Sequence, residues 1–146
     1  MKTKKVNRYW CDFCRKAGLS AGHMRRHESS CTMNPNRECR VCRMGWGKHL
    51  QGERKQKPIT ELLALLPKRD DWKNGDGMWG QLEAVANEAL PALRSACDNC
   101  PACIMAALRQ TGIPVPMVTD FNFTREMQTI WNDINEASNQ RYHYNQ

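Results

Sequence analysis

Long apolar runs are missing from this 146-residue sequence: no stretch approaches the ~20 residues that a membrane-spanning helix requires. No membrane partner is therefore expected. Behind the basic opening MKTKKVNRYW there is no apolar run either, so a secretory leader is not expected, and the chain is expected in a reducing, cytoplasmic setting. Signatures of catalysis are missing too. There is no Gly-rich phosphate loop, no Ser/His/Asp set and no His-Asn-His arrangement, and His143 stands in a polar tail. The expectation is that the protein is not an enzyme. Acidic residues are scarce over residues 1–57, which hold 15 Lys and Arg against 4 acids; residues 58–146 hold 7 against 11. A basic half that meets an anion, joined to a half with another task, is what such asymmetry suggests.

What the chain does have is eight cysteines. With a reducing compartment expected, metal ligation is favoured over a disulfide framework. The spacings agree, because Cys11-x2-Cys14, Cys39-x2-Cys42, Cys97-x2-Cys100 and Cys100-x2-Cys103 are those of turns that offer two sulfurs to one cation. Metal also changes the charge. A zinc site with three thiolates carries −1 and one with four carries −2, which brings the formal +7 down to about +4.

Along the chain, residues 1–8 form a basic arm and MNPNRE carries turn chemistry around Asn34-Pro35. The glycines and charges of MGWGKHLQGERKQKP read as a linker, so the boundary is placed between a basic zinc-binding module, residues 1–57 (finger 9–32, knuckle 36–48), and a helical domain, 58–146. Four helices are expected there. Ile59 to Leu66 is stopped by Pro67; Leu82, Val85, Ala86, Ala89, Leu90 and Leu93 mark a second helix, which Pro91 kinks or ends. The third starts at Pro101 and stops at Thr111-Gly112, and the fourth carries Met127, Ile130, Trp131 and Ile134. Trp79, Trp131, Met127 and Ile134 read as helical core. The expected fold class is mainly α: a small ββα-type zinc finger and a zinc knuckle attached to a short helical domain, with strands in the finger alone.

Twelve residues separate Cys14 from His27, and three separate His27 from Cys31. A hairpin can point two sulfurs inward while a helix places the other two ligands one turn apart on one face. Written out, YWCDFCRKAGLSAGHMRRHESSC is Cys-x2-Cys-x12-His-x3-Cys, which resembles the CCHC variant of the classical zinc-finger family over residues 9–32. His23 with His27 forms a rival pair that would release Cys31. Met24 takes the place of the family's core leucine, and Gly18 stands where an aromatic core residue is usual, a gap that Tyr9, Trp10 or Phe13 is expected to fill. Gly22 within the helix is unfavourable by about 1 kcal/mol relative to Ala. If the resemblance extends to docking, it implies base contacts from Ser20, His23 and Arg26, and a phosphate contact from Arg25.

The remaining knuckle, Cys39 and Cys42, has no second pair nearby. A site closed across some sixty residues by Cys100 and Cys103 is expected, since Pro101 starts a helix and i, i+3 spacing puts both sulfurs on its first turn. Cys97 and His49 compete as ligands. The triple run Cys97, Cys100, Cys103 also suits an iron–sulfur cluster with a remote cysteine. The cofactors expected are thus two Zn2+ ions, with an iron–sulfur cluster as the alternative at the second site.

Arg25, Arg26, Arg37, Arg40, Arg43, Lys48, Arg54, Lys55 and Lys57, with Trp10 and Trp46 among them, make a nucleic acid the expected partner. The plain alternative is a solvated basic face with Trp46 tucked against the finger. Two functions stay open: a small zinc-dependent nucleic-acid-binding or regulatory protein whose helical half recruits a protein partner, or a zinc-stapled adaptor or structural, phage-encoded component without nucleic-acid binding.

Overall fold

The computed structural model describes residues 1–47, 55–68 and 78–144, and of residues 78, 79 and 141–144 the backbone alone. Lys48, His49, Arg54 and the side chains of Trp79 and His143 lie outside the described residues. The fold is mainly helical, with a small two-stranded sheet beside Cys/His clusters.

The chain opens as a short antiparallel ribbon, β1 (Tyr9–Trp10) and β2 (Ala17–Gly18), with Tyr9 opposite Gly18 and Trp10 opposite Ala17. Helix α1 (Ala21–Ser30) follows, started by Ser20, whose hydroxyl accepts the His23 N–H at 3.3 Å. A small cluster of Cys11, Met24 and Cys31, with Cys14 and Met33 against it, fills the space between ribbon and helix. None of the aromatics expected there takes part: Tyr9, Trp10 and Phe13 are all exposed. A Cβ at Gly18 would meet the Met24 Cε at 3.6 Å, so the methionine already occupies the room an aromatic ring would need.

The MNPNRE turn forms as expected, with Asn34 N–H on the Cys31 carbonyl and Asn36 N–H on Asn34 Oδ1. It folds back along α1, where Glu38 N–H reaches the Ser29 carbonyl at 2.8 Å. Arg37 is 7% exposed, and its Nε is buried with no hydrogen-bond partner among the described residues. It therefore does not belong to the basic face, because the turn draws it inward. Helix α2 (Arg40–Arg43) is a single turn.

The helical half is built round α5 (Pro101–Thr111), whose residues from Pro101 to Leu108 are buried almost without interruption; a helix apolar on all sides belongs in the middle. Against it pack α3 (Ile59–Leu63) and α6 (Phe123–Tyr144). Helix α4 (Met78–Ala96) adds Leu82, Ala86, Leu90 and Leu93 to the same core. Val85 falls off that stripe and is exposed. Pro91 neither ends nor begins a helix here: α4 runs through it, and because Pro91 lies on the solvent side, water can take the place of the lost hydrogen bond. Trp131, read from the sequence as core, is 45% exposed. Ile130 takes the inward position on α6, and the next residue is turned about 100° away from it. Met127 and Ile134 are half-buried. Trp46 packs on the helical core rather than on the finger, donating its indole N–H to the Val41 carbonyl at 3.0 Å. Cys39 and Cys42 belong to this larger core as well.

Finger and helices are joined at the end of α5. Arg109 Nη1 donates to Thr32 Oγ1 at 2.9 Å, and Gln110 Nε2 donates to the carbonyls of Thr32 and Asn34 at 2.8 and 3.0 Å. No helix of the described residues is long and apolar enough to cross a membrane.

Candidate metal centres

Two groups of four ligand atoms converge, Cys11, Cys14, His27 and Cys31 in the finger and Cys39, Cys42, Cys100 and Cys103 between the halves; within each, every ligand atom lies within 4.8 Å of the others. In the finger, the turn after β1 presents Cys11 and Cys14. The Phe13 N–H points at Cys11 Sγ (3.4 Å), and the Lys16 N–H points at Cys14 Sγ (3.5 Å), where it favours the charged thiolate that a metal needs. Helix α1 supplies His27, its Nε2 3.2 Å from Cys14 Sγ, and Cys31 follows one turn on as the C-cap. His23 is exposed and stands outside the group, so the rival pair is not assembled.

The second centre repeats one device twice. Cys39 precedes α2 and Cys100 precedes α5, while Cys42 and Cys103 sit in the first turns of those helices. Cys42 N–H donates to Cys39 Sγ at 3.4 Å, and both helix N-termini favour negative charge on the sulfurs. Across the centre, Cys39 Sγ lies 3.6 Å from Cys100 Sγ and Cys42 Sγ lies 3.7 Å from Cys103 Sγ. Four thiolates about 2.3 Å from one zinc ion are separated by roughly 3.8 Å in a regular tetrahedron, so the donor set fits a single ion of that size. Cys97 does not join: its thiol points at the Cys100 carbonyl, 3.8 Å away. The triple-cysteine cluster is thus not the arrangement the fold assembles.

The charge state of these sulfurs follows from their crowding. Hydrogen bonds from Cys100, Cys103 and Cys42 hold the Cys39 thiol far below the usual range, and Cys103 lowers Cys100. Cys100 in turn raises Cys42, and Cys100, Cys39 and Cys42 raise Cys103. Four thiolates cannot share a dry pocket unless a dication neutralises them. In the finger, burial opposes ionisation of Cys14, yet the Lys16 N–H and the Cys11 and Cys31 thiols outweigh it and its pKa falls. Burial raises that of Cys31. Burial, together with Lys16 and Arg40, lowers that of His27, which favours the neutral imidazole that a metal ligand needs.

Three positioning residues have little or no sequence signal. Asp98 and Asn99 both take left-handed backbone (φ 57 and 59), turning the chain from α4 so that Cys100 meets the knuckle. Asp and Asn tolerate that conformation better than most residues, which is the clue the dipeptide offers. Gln56 has no such signal; its Oε1 accepts the Cys39 N–H and its Nε2 donates to the Arg37 carbonyl.

The residues expected at a nucleic acid are only partly grouped. Ser20 is committed to capping α1, while His23, Arg25 and Arg26 are exposed along it. Arg40 lays its guanidinium on the Arg26 carbonyl, and Arg43 pairs with Glu38 at 2.8 Å with both side chains open to solvent. Comparison of the chain with family models, with curated proteins and with solved structures found no match.

Proposed function

We propose that this chain is a small zinc-dependent protein that binds nucleic acid in a regulatory role through its basic finger module, the finger being a CCHC variant of the zinc-finger family. Zinc suits both donor sets, since it favours four-coordinate sites of thiolate and imidazole. Each centre is closed by four protein ligands, which leaves no open position for substrate or water; the metals act as staples, and the protein is not an enzyme. Reduced thiols in this number suit a cytoplasmic setting.

One observation carries the reading. Arg15, Lys16, Arg25 and Arg26 are exposed on the metal-closed finger with no ion pair among the described residues, and the exposed arm adds Lys2, Lys4 and Lys5. Cations held on a small rigid body and left without acids are suited to phosphates, whose released counterions drive the association. A titration of the zinc-loaded protein on DNA and RNA over salt tests this. With four phosphate contacts, affinity falls about a hundredfold between 50 and 200 mM salt. Binding indifferent to salt, or none at 50 mM, would refute it. A protein partner for the helical half is a second reading, favoured by the exposure of Trp131 on α6.

A further inference from the structure

The ribbon has two unlike faces. Gly18 looks toward α1, and its cross-strand partner Tyr9 shares that side. Trp10 and Ala17 therefore look the other way, and alternation puts Arg8 on the same outer side as Trp10. The contact agrees: the Arg8 guanidinium lies 5.2 Å from the centre of the Trp10 ring. Trp10 is nonetheless 60% exposed, although the finger's buried cluster is only three residues and would gain from an indole.

A flat apolar ring, held by a cation on a finger whose exposed Arg15 and lysine arm have no ion pair among the described residues, suits a ligand that offers open π-faces beside phosphates. Single-stranded nucleic acid has both, whereas a duplex keeps its bases stacked inside. Helix α1 is poorly placed for the other mode. Its C-terminal half is tied to the following segment, through Glu38 N–H on the Ser29 carbonyl and Arg40 on the Arg26 carbonyl. A major groove about 12 Å wide admits one helix of 10–12 Å, not a helix with a second segment along its side.

We infer that the outer face of the finger ribbon, centred on Trp10, stacks bases of a single-stranded nucleic acid. This rests on the nucleic-acid reading above and adds the strand class and the stacking residue. The test uses the zinc-loaded full chain with a fluorescent twelve-nucleotide oligothymidine and with a duplex of the same length, in parallel for wild type, Trp10→Phe and Trp10→Leu. Zinc content and helical signal verify that each variant is folded, and Trp131→Phe serves as a tryptophan control. The expected result is tighter binding of the single strand, about ten- to a hundredfold weakening by Trp10→Leu, rescue by Trp10→Phe, and unchanged duplex binding. If Trp10→Leu binds the single strand as wild type does, or if the duplex is preferred, the stacking face is refuted while a salt-dependent phosphate contact survives. Loss of all binding at low salt in the wild type overturns both, and leaves the exposed tryptophan to a protein partner.

Discussion

Arg94 ties α4 to α6 and to the segment before it through a single side chain. Its Nη1 and Nη2 meet the Glu126 carboxylate at 2.6 and 3.1 Å, and Nη2 also donates to the Asp120 carbonyl at 2.6 Å. The guanidinium lies 5.9 Å from the Phe121 ring centre as well. Hydrogen bonding to Glu126 raises the arginine's pKa, which holds the guanidinium in its charged form. Both side chains are about three-quarters buried, so water screens the fork only in part. Arg94→Ala should lower unfolding free energy by about 2 kcal/mol, because Glu126 is left largely buried without its cation. Urea denaturation followed by circular dichroism measures this, and a loss under ~0.5 kcal/mol would show that the fork is dispensable. No sequence pattern announces the pair: its members are 32 residues apart on different helices.

Helices carry the next level, and two glycines make opposite predictions. Gly112 caps α5 in left-handed backbone at φ 83, and a Cβ added there would meet nothing within 4 Å. Gly112→Ala therefore meets strain without a clash and should cost about 1 kcal/mol, with Asn at the same position costing less. Gly22 lies inside α1, and a Cβ there would make ordinary contact with Ser20 Oγ at 3.9 Å. Gly22→Ala should stabilise the finger by about 1 kcal/mol, read as roughly fivefold tighter metal retention against a competing chelator. Equal responses of the two variants would contradict this assignment. These element ends are legible in the sequence because Pro101 and Gly112 act locally, and so are the eight Cys and His side chains that gather in two groups of four, whose spacing reflects the turn and helix that carry them. What escapes is set by long-range packing. The apolar stripe of α6 gives its phase but not how far a neighbour extends along it, so Trp131 reads as core and the polar stretch beyond Ile134 does not read as helix. The aromatics of the ribbon are expected inside for a similar reason, since nothing in their spacing reveals that Met24 already fills the gap.

For the molecule as a whole, the two metal centres should differ in what they hold. The finger centre borders a small cluster of its own, whereas Cys39, Cys42, Cys100 and Cys103 lie inside the main core. Bridging residues 61 apart removes chain entropy from the unfolded state worth about 4 kcal/mol in a loop-closure model. Losing that ion also leaves four thiols competing for protons in a dry pocket. Cys11→Ser should thus bind one zinc per chain and keep the helical half intact, while Cys103→Ser should also bind one zinc but unfold at much lower urea. Acid should act in the same direction on both centres. His27 and the thiols ligate only when deprotonated, so the unfolded chain binds more protons than the metal-loaded fold, and stability rises with pH. For His27, lowered from 6.5 in the fold, the contribution is complete above pH 6.5 and is lost as pH falls from there through the folded value. Elemental analysis across pH 8 to 4, with denaturation of both variants, decides the matter: equal urea midpoints, or a fully folded wild type without metal, would remove the staple from the main core.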